Sequence, residues 1–470
     1  MPLILSGNVT SATAGAYDVA NSCRFNDNDS AYVHKTCGSA FDTDKFTISL
    51  WCKRGTLGIE TRLISCDNDD GSDDDYLKFQ ATDQLEFTMY DGGYTGTLKT
   101  NALFRDIGSW YHIVAVWDSG NATAGNRMRL YVNGTEVTSF ATDTNPDEDA
   151  NATFGNTSHP IEIGRRGTNG TQYWDGYLAE VAVCDGQAYA ASDFGEFDED
   201  SPTIWKPKNV SGLTFGTSGF YLDFEASGNL GNDANGGTDF TEVNIAAADQ
   251  ATDTPTNSFA TMNNLIPGVS NITYSEGNLL ITQTTAAWVK TNSTFGMSAG
   301  KWYWEAKWVG DNSGVGSWLV VGADNTDTAT TASGMTTTSV GWKKNGNIGV
   351  ATSLQTDIAT YAEGDILSVA LDMDNDAIYF RKNGASWENS GDPTSGSDKT
   401  GAYSLPVANS TYFATISPYD TSIAGMNFGG CPAFAISSGN ADADGYGNFE
   451  YAPPSGYYSL CTKNLGAYGG

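Results

Sequence analysis

Residues Gly364–Trp387, GDILSVALDMDNDAIYFRKNGASW, leave this chain little choice of architecture. Leu367, Val369, Leu371 and Met373 alternate with Ile366, Ser368, Ala370 and Asp372, the period of a strand with at least one buried face. Asp374-Asn375-Asp376 supplies a turn, Ile378 and Phe380 alternate with Tyr379 and Arg381, and Asn383-Gly384 is a hairpin signal. The segment reads as a meander of three antiparallel strands. Elsewhere, short apolar runs are separated by Gly, Ser, Thr, Asn and Asp, and hardly any window keeps a helical apolar stripe for three turns. The expected fold class is all-β.

A chain of 470 residues exceeds one hydrophobic core and suits two or three domains. The 56 acids against 24 Lys and Arg, a formal charge of -32, argue against a nucleic-acid partner, which requires clustered basic residues. The same acids offer oxygen ligands to a hard cation such as calcium, or simply solvate the loops. The N-terminal MPLILSGNVTSATAG has no basic residue before its short apolar run and does not read as a signal peptide. No stretch reaches the roughly 18 apolar residues of a span, so no membrane insertion is expected. The seven cysteines lack zinc spacing; buried thiols are expected, with Cys23–Cys37 or Cys52–Cys66 bridges left open.

Residues 1–225 read as one β-rich domain. A Ser-Leu-Trp strand, WYHIVAVWD, the RLYVNGTEV hairpin, IEIGRRG and WDGYLAEVAVCDG follow in that order. The set resembles the concanavalin A-like, laminin G-like sandwich of lectins and glucanases. Residues 226–268, rich in Gly, Asn, Asp and Thr, read as a connector. In residues 269–430, GKWYWEAKW, SVGWKKNGNIGV, the opening meander, and YFATISPY followed by MNFGG resemble the SPRY fold, a second sandwich. Residues 431–470, with Pro453-Pro454 and a glycine-rich end, read as an extended C-terminal arm packed on a neighbour. The expectation is thus two antiparallel β-sandwiches in tandem.

The opening MPLILSG, SCRFNDNDSAYVHKT, DTPTNSFATMNN and PPSGYYSLCTKNL together resemble structural proteins of marine bacteriophages that pair these two domains. That resemblance implies a virion component of fibre, tail-associated or head-decoration type. Such a protein folds in the host cytoplasm, has other virion proteins as partners and meets host-surface glycans or proteins. Sheet edges on both sandwiches make a homo-oligomer plausible.

Three constellations could carry chemistry. In CDNDDGSDDD, residues 66–75, Asp67, Asp69, Asp73 and Asp75 bracket Gly71 and could surround Ca2+; the alternative is a solvated acidic loop. Laminin G-like relatives often hold calcium at one rim, which supports the first. Tyr94, Tyr173 and Trp174 stand beside Asp in glycine-rich turns, where an aromatic face could stack on a sugar; Trp174 could instead start the next strand in the core. Glucanases of this fold need two carboxylates about 5 Å apart on one strand. The nearest match, Glu196-Phe197-Asp198, has Ser201 where the last acid should be, so no catalytic residue is expected. His112, inside WYHIVAVWD, is expected to be structural. The competing class is a calcium-dependent lectin or a polysaccharide-degrading enzyme.

Overall fold

A computed structural model describes residues 17–469 except 69–70, 168–169, 267–268, 312–317, 327–335 and 356–357. The chain divides into two compact units that part between Thr256 and Asn257.

The first unit is a sandwich of two eight-stranded sheets. The first sheet is built on β3 (Lys45–Arg54), β8 (Tyr111–Asp118), β9 (Met128–Val132), β10 (Thr135–Glu136) and β13 (Gly176–Asp185). The edge strands β1 (Ser22–Phe25), β16 (Phe220–Leu222) and β18 (Gln250–Ala251) extend it beyond β13. The second sheet contains β2 (Tyr32–Thr36), β4 (Thr61–Asp67), β5 (Asp74–Phe79), β6 (Gln84–Tyr90) and β7 (Tyr94–Leu103). With β11 (Phe140–Thr144), β12 (Pro160–Ile163) and β17 (Thr241–Val243), its order is β11-β7-β6-β5-β4-β12-β2-β17. Phe46, Ile48, Leu77, Phe87, Trp117 and Ile163 fill the space between the sheets.

The first sheet is covered on its outer side as well. Helix α1 (Ala191–Phe194), Val210 and Phe215 lie there against Val114, Val116 and Ala182. His112 belongs to this layer and is structural, as expected. Its Nδ1 accepts from Trp205 Nε1 at 2.9 Å, so Nε2–H donates to Ser49 Oγ at 2.9 Å. Burial holds its pKa down to about 3. The Asn133-Gly134 hairpin forms between β9 and β10, both residues taking left-handed φ of 47° and 75°. Among the described residues, no apolar cluster covers the outer side of the second sheet.

The reading of 226–268 as a connector is corrected. Strands β17 and β18 add residues from it to both sheets, and Leu230 and Phe240 are buried in the first core. Such short strands gain their apolar partners only from distant residues, so composition alone reads as loop. Its end joins the second unit, where Phe259 bridges Cys461 and Met262 bridges Ser293.

The second unit packs two further sheets. One runs β19 (Ile272–Ser275), β20 (Leu280–Gln283), β31 (Ser422–Asn427), β22 (Lys301–Asp311), β27 (Ile366–Asp372), β28 (Ala377–Lys382) and β29 (Tyr403–Ser404). The other runs β21 (Thr291–Met297), β30 (Tyr412–Tyr419), β23 (Trp318–Asp324), β24 (Ser339–Lys343), β25 (Ile348–Val350) and β26 (Ser353–Gln355). The meander contributes two strands, β27 and β28, not three. Asn383 and Gly384 do take the left-handed turn, but Asn383 closes back on Ile366 through both its N–H and its Oδ1, and residues 385–402 then run through turns and two short 3-10 helices, Glu388–Ser390 and Pro393–Asp398. The arm reading is also corrected, because residues 431–469 fold back on their own unit. Strand β32 (Tyr458–Ser459) pairs in parallel with β22, and Phe449 and Tyr457 bury against Tyr303 and Tyr379.

Candidate functional site

Strand pairing decides which side chains point to the outer side of the second sheet, where Arg62, Tyr76, Lys78 and Glu86 are packed against one another and buried. Tyr76 opposes Ser65 and Thr88, and Lys78 opposes Arg62 and Glu86, while Leu77 and Phe79 between them enter the core. A strand alternates faces, so Arg62, Tyr76, Lys78 and Glu86 all project outward. They form a fixed network. Arg62 grips Asp74 through both terminal nitrogens at 2.7 and 2.9 Å, donates from Nε to Gln172 Oε1 at 2.8 Å, and lies 3.8 Å over the Tyr76 ring. The Tyr76 hydroxyl donates to Glu86 at 2.7 Å, and Lys78 reaches Glu60 at 2.5 Å.

Arg62, Asp74, Tyr76, Lys78, Glu60 and Gln172 line a cleft of about 340 Å³ together with Arg166, Tyr90 and Tyr94. Arg166 is tied to Asp67 at 2.8 Å and to Asp74 at 3.3 Å. Tyr94 is 71 % exposed and meets Tyr90 edge-on at 5.2 Å. Neither of these two hydroxyls has a hydrogen-bond partner among the described residues. An exposed aromatic ring above pre-positioned donors and acceptors can hold a polyhydroxylated ring on its face and edges at once. The cations Arg62, Lys78 and Arg166 are matched by Glu60, Asp67, Asp74 and Glu86, so the site carries no surplus positive charge.

Of the residues expected to bind ligand, Tyr94 lines the cleft. Tyr173 is half-buried on the same face, its ring 6.4 Å from that of Tyr32. Trp174 is corrected: it is 1 % exposed and stacks on Phe79 in the core, leaving no face for a ligand. The calcium loop is corrected too. Asp67 opposes Asp74 on the outer face, while Asp75 opposes Cys66 on the inner one, so the two cannot grasp one ion. Asp67 is paired with Arg166, and Asp75 accepts from the N–H groups of Tyr90 and Thr153, each at 2.8 Å. Burial pushes the Asp75 carboxyl up to about 7. Asp73 faces His159 at 3.4 Å, and Asp69 lies outside the described residues. Among the described residues no three His, Cys, Asp or Glu side chains gather as a metal site would require. All seven cysteines are buried and free, which closes the two bridges left open above.

Sequence reasoning missed Arg62, Tyr76, Lys78, Arg166 and Gln172. For Arg62, Tyr76 and Lys78 the available signal was polar and aromatic residues at alternate positions of β4 and β5; Arg166 and Gln172 lie outside these strands and carried none. A second hollow of about 480 Å³ is lined by Asp42, Asp44, Lys45, Asp118 and Asn121 and contains no aromatic ring. Glu196 pairs with Lys206 and Lys208, and Asp198 accepts from the N–H groups of Asp200 and Ser201.

The fold and cleft define a tandem of β-sandwiches, the first with a polar, aromatic-rimmed cleft on its second sheet. Residues 26–191 match the family model of the concanavalin A-like lectin/glucanases superfamily, and residues 301–430 match the SPRY domain. The chain therefore carries a concanavalin A-like, laminin G-like domain followed by a SPRY domain. No curated protein matches it in sequence. Among solved structures it is similar to the SPRY domain of human HERC1, at 16% identity over 35% of this chain and 95% of that one, TM-score 0.28. A heptameric SAP-like pentraxin from Limulus polyphemus aligns at 15% identity over 37% of this chain and 80% of that one, TM-score 0.27. A candidate carbohydrate-binding protein from Bacteroides ovatus aligns at 18% identity over 49% and 60%, TM-score 0.32.

Proposed function

We propose that this chain is a non-enzymatic binding protein whose first unit holds a saccharide in the Tyr94 cleft. The supporting observation is one exposed aromatic ring set above donors and acceptors that are already immobilised. Sugar rings pack their C–H faces on aromatic planes, and their hydroxyls gain most from partners that need no reordering. On a glycan array the purified chain is expected to retain at least one saccharide. Tyr94→Ala is expected to weaken that signal about two- to tenfold, since ring stacking contributes roughly 0.5–1.5 kcal/mol. Release of reducing ends from the bound saccharide would point to a polysaccharide-degrading enzyme, and a blank array would remove the saccharide reading.

We also propose that the protein sits on a bacteriophage virion as a fibre, tail-associated or head-decoration component that adheres to the host surface. Support comes from the whole-chain likeness carried by MPLILSG, DTPTNSFATMNN and PPSGYYSLCTKNL. Peptides of the chain are expected in the mass spectrum of purified, nuclease-treated virions. Their presence in the lysate but absence from the particles would contradict this placement.

A further inference from the structure

We infer that the ligand of this face is an uncharged, linear saccharide several units long, lying across the strands from Tyr94 to Tyr32 and Tyr173. This rests on the saccharide reading of the cleft and adds the ligand's length, direction and charge.

The face continues past the cleft. Glu162 on β12 opposes Ser65 on one side and His34 on the other, so the outward register carries through to β2; Ser65 and Glu162 are themselves buried, Ser65 beneath the Arg165 carbonyl, and the path from the cleft to Tyr32 and His34 runs over Gln172 and Tyr173. From β7 to β2 the sheet order gives five strand steps, about 24 Å at ~4.8 Å each and roughly the span of four to five pyranose units.

The far end repeats the chemistry of the near one. The Arg165 guanidinium lies 3.5 Å over the Tyr32 ring, as Arg62 lies 3.8 Å over Tyr76, and Glu162 fixes it at 2.6 Å as Asp74 fixes Arg62. His34 stands 5.6 Å from Tyr32 with neither ring nitrogen bonded among the described residues. Burial, reinforced by Arg165, holds its pKa below the ordinary value, so it offers a neutral donor and acceptor. Gln172 and Tyr173 join the two ends, the first lining the cleft and the second lying beside Tyr32. Gln172 takes a left-handed φ of 56°, a conformation unfavourable to a non-glycine residue and held here by Arg62.

Charge decides the class of saccharide. Arg165 is spent on Glu162, as the cleft's cations are spent on their own carboxylates. A sulfated or uronic polymer would find the cleft cations and Arg165 already paired, with Lys99 on β7 the cation of this face that has no carboxylate partner among the described residues, and would meet a chain of formal charge -32.

The test is a titration of the whole chain with neutral linear oligosaccharides of increasing length, from glucan, mannan and galactan series, beside polygalacturonate oligomers. In the series that binds, affinity is expected to rise about tenfold or more from disaccharide to pentasaccharide and then level off. In His34→Ala or Tyr32→Ala that gain should vanish, the pentasaccharide binding no tighter than the disaccharide; Tyr173→Ala serves where either variant melts early. Equal affinity for all lengths in the wild type, or a preference for polygalacturonate, overturns the inference while leaving the saccharide reading standing. Failure of every saccharide, including binding of a protein segment instead, removes both.

Discussion

Glu305→Gln is expected to cost the second unit about 2–4 kcal/mol, although it preserves side-chain volume. Glu305 is fully buried on β22 and receives four donors. The Tyr303 hydroxyl and the Tyr451 N–H reach Oε1 at 2.9 and 2.8 Å, and Asn427 Nδ2 and the Glu450 N–H reach Oε2 at 3.1 and 2.9 Å. An amide keeps one acceptor and turns an NH2 toward two other donors, stranding them away from water. Because two of the four donors belong to the C-terminal segment, the loss should free it first. In a unit of this size the penalty corresponds to a Tm lower by roughly 5–12 °C. Limited proteolysis should then cut between 431 and 461 well before the sheets. A variant with an unchanged Tm and a protected C-terminus would show that Phe449 and Tyr457 alone hold the segment.

Lys290→Met is expected to be at least as damaging, at about 3–5 kcal/mol. Lys290 and Asp324 are both fully buried and 2.5 Å apart; Asp324 ends β23 and Lys290 immediately precedes β21, the two strands that flank β30. Asp324 also accepts from the Thr338 hydroxyl at 2.7 Å and the Thr326 N–H at 3.1 Å. Removing the ammonium leaves a carboxylate in an apolar sandwich, and those neutral donors offset only part of the charge. The double variant Lys290→Met, Asp324→Leu should recover stability relative to Lys290→Met, because no lone charge remains, yet not fully, because the Thr338 hydroxyl and the Thr326 N–H lose their acceptor. Denaturant midpoints for the four proteins of the cycle check this. Additive losses, with no recovery in the double variant, would contradict the pairing.

Much of the sandwich was legible because strands write alternating polarity into their residues, as Leu367, Val369 and Leu371 do against Ser368 and Asp372 on β27, although both faces of that strand are buried. Asn133-Gly134 likewise announced its hairpin. Asn383-Gly384 announced the turn but not what followed, since a two-residue turn carries no information about whether the next segment finds a partner strand. The acidic loop had the chemistry of a cation site, but the pairing of Asp67 with Asp74 sends Asp75 to the other face, and register is set by tertiary packing. The cleft was nearly invisible for a related reason. Arg62, Tyr76, Tyr94, Arg166 and Gln172 are distant in sequence and meet only when β4 to β7 are laid side by side. Tyr94 alone was marked, by the glycine turn beside it.

The most direct test of the cleft is the affinity of an array-selected saccharide for three proteins: the wild type, Tyr94→Ala, and Lys45→Ala in the other hollow. Tyr94 is 71 % exposed, so its removal should leave Tm in place while weakening binding about two- to tenfold. Lys45→Ala should bind as the wild type does. Unchanged affinity in Tyr94→Ala, or a loss confined to Lys45→Ala, would contradict the account.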